Sequence, residues 1–493
     1  MPDSPRVYVI FCTVGYDTQR LHVNRSVLDA EGKRVPRHFV SNDDVLARLQ
    51  DELPEVNFVR RDLLGTPDGY TRLLGEIEHF KDSIDGIILV GGAVIRNQGI
   101  GGTGQQPLAF TGLPTIYVDN LFKLQPMPYR VCREQGRVLF AEIDREGIMP
   151  SEHGNAMFGD LVDKVRIVVA LHRLRQGKIL FIKAPETDID GVDFKILAPR
   201  YNEQIVGRIR ECFGTEIVFH DNEDLIGRFH AVPDDDAWPI ADRWKAGAVA
   251  VQEGIDEEIL KSAKLYLAID AIREDHGLDP LAIMVNGEYR AIEEGITTTT
   301  SLAMTEFQRR GIIGCYQSYT GTTFAQLFAW HMLGRMSFVH DDVVDIYNDV
   351  SLHMHCGTPV NNLWGDEDLS YKIRDYTTGA WHEELGRRDG AVPAEVSFPV
   401  GVPVTIWKVF PMRKLITLYT GTSLDGAEVY GETWPDIICR NKLPVRVDDA
   451  ERIISHHDVL EYGCHRCATF GDLRERVKQL ATLIGFEVEE WDR

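Results

Sequence analysis

Asp341 and Asp342 stand side by side after the apolar run Met336–Val339. Two adjacent carboxylates at a strand end can hold a divalent ion, or cap a turn. The same third of the chain carries His355 in a His-Cys-Gly triplet and the pair His456 and His457. An imidazole, with a reference pKa of about 6.5, can ligate a metal or take a proton near neutrality. Glu288 follows the run Leu281–Val285, at the expected C-terminal end of a parallel strand, where open α/β sheets bind ligands. Glu293 and Glu294 before Gly295, and Glu306 in Met304-Thr-Glu-Phe, are further carboxylates. Cys464 and Cys467 form one Cys-x-x-Cys, which is no zinc site without a second pair of ligands. The glycines at 99, 101, 102 and 104 do not stand directly between a strand and a helix, the context in which glycines cradle phosphate. They read as a surface loop.

The elements that would position these groups follow from periodicity. Val7–Thr13, Gly86–Val90 and Thr115–Val118 read as buried strands, with helices over Asp44–Glu52 and Gly69–Lys81. A second α/β stretch follows. It has a helix over Asp160–Gln176 closed by Gly177, a strand over Ile179–Ile182, and a helix over Tyr201–Cys212 stopped by Gly214. A strand over Glu216–Phe219, a long helix over Glu257–His276 and the strand Leu281–Val285 continue it. This rhythm predicts parallel sheets covered by helices. From about residue 345 the pattern changes: Val404–Val409 and Leu415–Thr420 read as antiparallel strands, then a helix over Arg474–Ile484 and a strand at Glu487–Val488. The expected fold is α/β, with two doubly wound parallel-sheet domains at 1–160 and 161–344 and a smaller β-rich C-terminal domain at 345–493.

Composition narrows the partners. Hydrophobic residues at 44% and charged residues at 26% are the balance of a globular chain, which argues against disorder. The net charge of −23 would repel nucleic acid and anionic membranes, so neither is an expected partner. No apolar run reaches transmembrane length. The apolar start Val7–Val14 lacks a strongly basic leader and a clear small-residue cleavage site, and reads as a first strand instead of a signal peptide. Eight cysteines without a framework of spacings suit free thiols in a reducing compartment, so a cytoplasmic location is expected.

Several segments, taken in order, resemble the L-fucose and L-arabinose isomerase-like superfamily over residues 160 to 493. Gly177-Lys-Ile-Leu-Phe-Ile followed by Phe213-Gly-Thr-Glu-Ile-Val resembles the opening of that family's second domain. Ala263-Lys-Leu-Tyr leading to His276-Gly-Leu-Asp-Pro-Leu-Ala-Ile resembles the helix and strand that approach its active site. Gly311-Ile-Ile-Gly-Cys-Tyr-Gln-Ser-Tyr-Thr-Gly321, running on to Gly334-Arg335, resembles a stretch where the family has Cys-Glu-x-Asp. Phe338-Val-His-Asp-Asp342 resembles the next strand and its acidic end, and His355-Cys-Gly357 matches a signature of the fucose isomerase-like branch. Ser455-His-His457 through Tyr462-Gly463 resembles the segment with the C-terminal metal-binding histidine.

The resemblance implies an aldose–ketose isomerase acting through an enediol or enediolate, with manganese holding two adjacent sugar oxygens. It assigns His457, Glu288 and Asp342 to the metal, and His457, His355 and Glu288 to catalysis. Gln317 and Tyr319, with Thr320 beside them and Glu306 as a replacement carboxylate, are the candidate substrate-binding residues. Thr320, Thr322 and Thr323 could hydrogen-bond sugar hydroxyls, and at least one of them is better read as the N-cap of the following helix. A small-molecule sugar is the implied partner and a homo-oligomer, trimer or hexamer, the implied assembly. One departure stands out: Gln317 and Tyr319 occupy the positions of the family's glutamate and aspartate. A neutral amide is a poor ligand for a hard ion and no general base. The alternatives are therefore a sugar epimerase, lyase or other carbohydrate enzyme without the usual metal site, or a non-catalytic sugar-binding protein. A β-rich third domain bearing histidines argues against the last.

Overall fold

The computed structural model describes residues 4–13, 26–28, 34–36, 40–64, 67–90, 111–120, 137–145, 149–184, 189–190, 201–285, 296, 298–315, 319–365, 368–375, 392–436 and 439–493. The chain divides into two compact units. One comprises 1–173 with 478–486, the other 174–477 with 487–493.

The first unit is built on β1 (Arg6–Thr13), whose run Val7–Phe11 is buried without a break. A short ladder pairs β2 (Ser26–Leu28) with β3 (Arg34–Pro36). Then come β4 (Asn57–Leu64), β5 (Gly86–Val90), β6 (Thr115–Asn120) and β7 (Val138–Ile143). The sheet is parallel, in the order β4-β1-β5-β6-β7. Its three central strands were legible as apolar runs. The two edges were not read: β4 carries Arg60, Arg61 and Asp62, and an edge strand has no need of continuous apolar residues.

The second unit opens with β8 (Lys178–Lys183), β9 (Glu216–Asp221), the two-residue β10 (Ala250–Val251), β11 (Ala282–Val285) and β12 (Ile313–Cys315). Four of them form a parallel sheet in the order β12-β11-β8-β9. The helices Tyr201–Phe213 and Asp256–Asp275 end where expected, each beside a glycine with positive φ, Gly214 at 74° and Gly277 at 59°.

The architecture then changes. β13 (Phe338–Asp345), β14 (Val350–His355), β17 (Pro403–Phe410), β18 (Leu415–Ser423), β19 (Asn441–Arg446), β20 (His465–Phe470) and β21 (Glu487–Glu490) form a seven-stranded mixed sheet. β15 (Tyr371–Ile373) and β16 (Ala394–Val396) join β10 in a small separate sheet. The order β17-β20-β13-β14-β19-β18, with β17 also pairing β18, closes six strands into a ring. Alternate residues therefore point into the ring or away from it. Phe338, Val404, Ile406, Tyr419, Leu443, Val445, Ala468 and Phe470 fill one hydrophobic core there. The chain is thus α/β, with parallel sheets ahead of a β-rich C-terminal sheet.

β13 belongs to this last sheet and runs from Phe338 to Asp345, so the change of architecture precedes the expected boundary at 344 and 345. The turn after it is pinned locally. The Asp345 carboxylate accepts from the backbone N–H groups of Tyr347 and Asn348 at 3.1 and 3.3 Å, and Asp349 takes a φ of 51°.

The helix Thr320–Leu333 packs on β17 at close range. A Cβ on Gly321 would lie 2.5 Å from the Val409 carbonyl oxygen, so only glycine lets the first turn approach the strand this way. The same helix is capped from a distant loop. Asp190 accepts from the Thr320 N–H at 2.7 Å and from the Thr320 hydroxyl.

Candidate functional site

Asp341 and Asp342 are neighbours inside β13 and do not follow its end, because the strand continues to Asp345. Alternation sends their side chains to opposite faces. Register fixes which face: Asp342 lies opposite His353 of β14, and Asp341 lies opposite His465 of β20. One carboxylate therefore joins the polar part of the ring interior, and the other joins the outer face.

On the outer face, Asp341, Cys464 and His465 each offer a donor atom, and these atoms lie within 4.8 Å of one another. The His465 Nε2 is 3.2 Å from Asp341 Oδ1, and the Cys464 thiol donates to Nδ1 of the same ring at 3.2 Å. That pattern puts the His465 proton on Nε2, facing the carboxylate. His465 is buried, whereas the Asp341 side chain is 47% exposed and Cys464 is half-buried. Burial acts to raise the Asp341 carboxyl, but the charge and hydrogen bond of His465, then the charge of His355, outweigh it and hold it at about 2.

Two aromatic rings frame this group. Tyr319, 2% exposed, stacks on His465 with centroids 3.7 Å apart and planes 20° from parallel. His355, at the end of β14, has its ring 5.6 Å from His465 and 6.4 Å from Tyr319. Its Nδ1 accepts from the Gly357 N–H at 3.3 Å, which leaves the ring proton on Nε2. Burial, reinforced by the neighbouring His465, pushes the His355 pKa down to about 3, so its ring is neutral at physiological pH.

The inward face carries a different network around Asp342, whose side chain is fully buried. His353 Nδ1 donates to Oδ1 at 2.8 Å, and Tyr419 donates to Oδ2 at 3.3 Å. His457 Nε2 approaches Oδ2 to 3.2 Å, and His340 Nδ1 lies 2.8 Å from Oδ1. Burial pushes His340 down to about 4 and keeps it neutral. Burial also opposes the charge on Asp342, yet His340 and His353 hold its carboxyl well below the usual range. His340, Asp342 and His353 have donor atoms close enough for a metal. The Arg466 guanidinium, its Nε 3.5 Å from the same carboxylate and equally buried, already supplies a cation there. Asp342 and His457, expected as metal ligands, thus meet each other, but inside a buried ion-pair network.

Other expected site residues are placed as follows. Gln317 and Glu288 lie outside the described residues, as do Glu293, Glu294 and the glycine loop around 101. Glu306 is buried in the helix Ser301–Arg309. Its Oε1 accepts from Arg243 at 2.6 Å and its Oε2 from Trp244 at 2.8 Å, so it braces two helices and is not disposed to bind substrate. The Thr320 hydroxyl is bound to Asp190 in a cap, the alternative already open to it. Tyr319 buttresses His465 with a buried ring and does not face outward. His355 and His457, expected together, attend different carboxylates.

His465 was missed, and Cys464 was weighed only as half of the Cys-x-x-Cys and set aside. The signal was the pair itself: a thiol and an imidazole ahead of the apolar run from Cys467 to Phe470, at the start of a strand. The other cysteine of the Cys-x-x-Cys, Cys467, is buried in the strand with its thiol pushed up to about 12 by burial.

No protein-family model matches the chain, and no curated protein matches it. Among solved structures, a crystal structure of a protein from Mycobacterium smegmatis is similar over 66% of this chain and 86% of its own length. The identity is 11% and the TM-score 0.13, a likeness too weak to bear on fold or function. No described helix is long and apolar enough to cross a membrane.

Proposed function

We propose that the chain is a carbohydrate-converting enzyme of the fucose and arabinose isomerase-like kind, an aldose–ketose isomerase working through an enediol or enediolate. This reading takes the two parallel sheets as doubly wound. It places the active site at Asp341, Cys464 and His465, with Tyr319 and His355 beside them.

One observation carries it: a half-exposed, ionised carboxylate held to an imidazole, with a thiol at hydrogen-bond distance. Sugar isomerisation moves one proton between adjacent carbons. It needs a base near pH 7 and a group that stabilises developing oxyanion charge. Asp341 stays charged throughout the neutral range and can orient His465 through Nε2. His465 presents its unprotonated Nδ1 on the side of the Cys464 thiol, and Tyr319 fixes the plane of the ring. A divalent ion held by Asp341, His465 and Cys464 would supply Lewis-acid polarisation of the carbonyl. The donor atoms fit such an ion, each within reach of the other two.

The test is solvent exchange. The protein, loaded with divalent metal, is incubated in deuterium oxide with pentoses, hexoses, 6-deoxyhexoses, tetroses and their phosphates. Incorporation of deuterium next to the carbonyl of one sugar, lost in Asp341→Asn and His465→Asn, is expected. Binding of a sugar with no exchange and no turnover would replace this reading with a sugar-binding role.

A further inference from the structure

We propose that Cys464 is itself a metal ligand, which makes the Asp341–Cys464–His465 group a site for a borderline-soft divalent ion such as zinc, and not the manganese that an isomerase-like site implies. This rests on the functional reading above for the group's being the active site.

Three donors of three kinds converge: a carboxylate oxygen, a thiol sulfur and an imidazole nitrogen, all within 4.8 Å. Zinc takes sulfur at about 2.3 Å and nitrogen or oxygen at about 2.0–2.2 Å, which puts tetrahedral neighbours about 3.3–3.6 Å apart. The imidazole meets the other two groups through different nitrogens, Nδ1 to Cys464 Sγ at 3.2 Å and Nε2 to Asp341 Oδ1 at 3.2 Å, so one ion takes a single ring nitrogen together with the sulfur and a carboxylate oxygen, atoms that lie within 4.8 Å of one another. Manganese favours carboxylate, carbonyl and water oxygens, and only one of the three donors is an oxygen. Where the family resemblance expects a glutamate, this chain has the neutral Gln317. Thiolate shifts the preference toward zinc or cobalt.

The surroundings suit a catalytic ion better than a structural one. A structural zinc site is closed by four protein ligands, while a catalytic site has three and keeps a position open. Among the described residues there are three, and the Asp341 side is 47% exposed. The stacked ring of Tyr319 restrains the plane of His465, as outer-shell partners of metal-bound histidines do.

Zinc outbinds manganese at most sites, so raw preference decides nothing. The informative quantity is how the zinc-to-manganese affinity ratio changes in Cys464→Ser and Cys464→Asp, measured by calorimetry on the full chain after metal removal. Removing a ligand should cost at least the 10–100-fold that an outer-shell change costs, so the ratio should fall by about tenfold or more in Cys464→Ser. Cys464→Asp should lower it further by strengthening manganese binding. Cobalt should show thiolate-to-metal charge-transfer absorption in the wild type and none in Cys464→Ser. Zinc should shield Cys464, mapped by mass spectrometry, from iodoacetamide while the half-buried Cys212 stays as reactive as before. An unchanged affinity ratio in both variants, or equal alkylation of Cys464 with and without saturating zinc, overturns the proposal. The two readings fail separately. Zinc binding that depends on Cys464 without any sugar exchange removes the isomerase and leaves the ligand. Exchange by manganese-loaded Cys464→Ser at the wild-type rate removes the ligand and leaves the isomerase.

Discussion

The ring of Tyr319 lies 3.7 Å from that of His465 and within 20° of parallel, so one imidazole of the candidate site is held between an aromatic face and a carboxylate. Tyr319 is buried, and its removal empties that volume. Tyr319→Phe, which keeps the stack, should unfold in urea within about 1 kcal/mol of the wild type. Tyr319→Ala should lose about 3–5 kcal/mol, as buried aromatic truncations do.

Asp341→Asn and Asp342→Asn should part company. Asp341 is half exposed, and its loss should change stability by about 1 kcal/mol or less while reducing isotope exchange by about 100-fold or more. Asp342 is buried against Arg466, and its loss leaves that guanidinium uncompensated. About 3–5 kcal/mol of destabilisation is expected, read by chemical denaturation. Equal effects of the two on stability would contradict the division of the strand into two faces.

The separation was only partly legible. The buried runs of β1, β5, β8 and β11 announce themselves as apolar segments, and Gly214 and Gly277 mark helix ends. The acidic pair was also visible, but its phase was not. Met336–Val339 reads as a complete strand because the residues after it are charged, yet β13 continues through them. Pairing on both sides, with β14 and β20, supplies donors that make charged residues tolerable inside a sheet, and that pairing is non-local. His465 escaped notice for a similar reason. Its partners Asp341 and Tyr319 are 124 and 146 positions away in sequence, counted from 465.

Gly321→Ala should be more costly than an ordinary helix substitution, although alanine is the better helix former. The added methyl would meet the Val409 carbonyl at 2.5 Å and the Lys408 side chain at 2.9 Å. Relief requires the helix to retreat from β17, at about 1–3 kcal/mol. A thermal melt of the purified variant checks this, and unchanged or increased stability would show that the helix seat is compliant.

Asp492 gives the acid response a defined origin. It pairs with buried Arg474 at 2.9 Å and accepts from the Thr420 N–H at 3.0 Å. Burial acts to raise its carboxyl, but Arg474 and Thr420 bring it below the usual value. The unfolded chain therefore takes up this proton first. Stability from the pair is fully present above about pH 4, the unfolded value, and is lost as pH falls toward the lower folded value. Asp492→Asn should cost about 2–4 kcal/mol at pH 7, since Glu490 still faces Arg474. It should also flatten the loss of stability below pH 4, measured by urea titrations across the acid range.

The hairpin between β13 and β14 has a bearing on chemistry that its distance from the site conceals. An Asp-Asp dipeptide offers the same functional group at either phase of the strand, so composition alone does not decide which copy reaches solvent. The turn does: Asp345 gathers the amides of Tyr347 and Asn348, and Asp349 accepts a left-handed backbone, so the two strands enter the ladder with one offset. A shift by a single residue would invert the strand, leaving a carboxylate outside but parting it from His465, and lodging the other away from Arg466. The connection acts as an address, assigning two identical side chains to opposite environments.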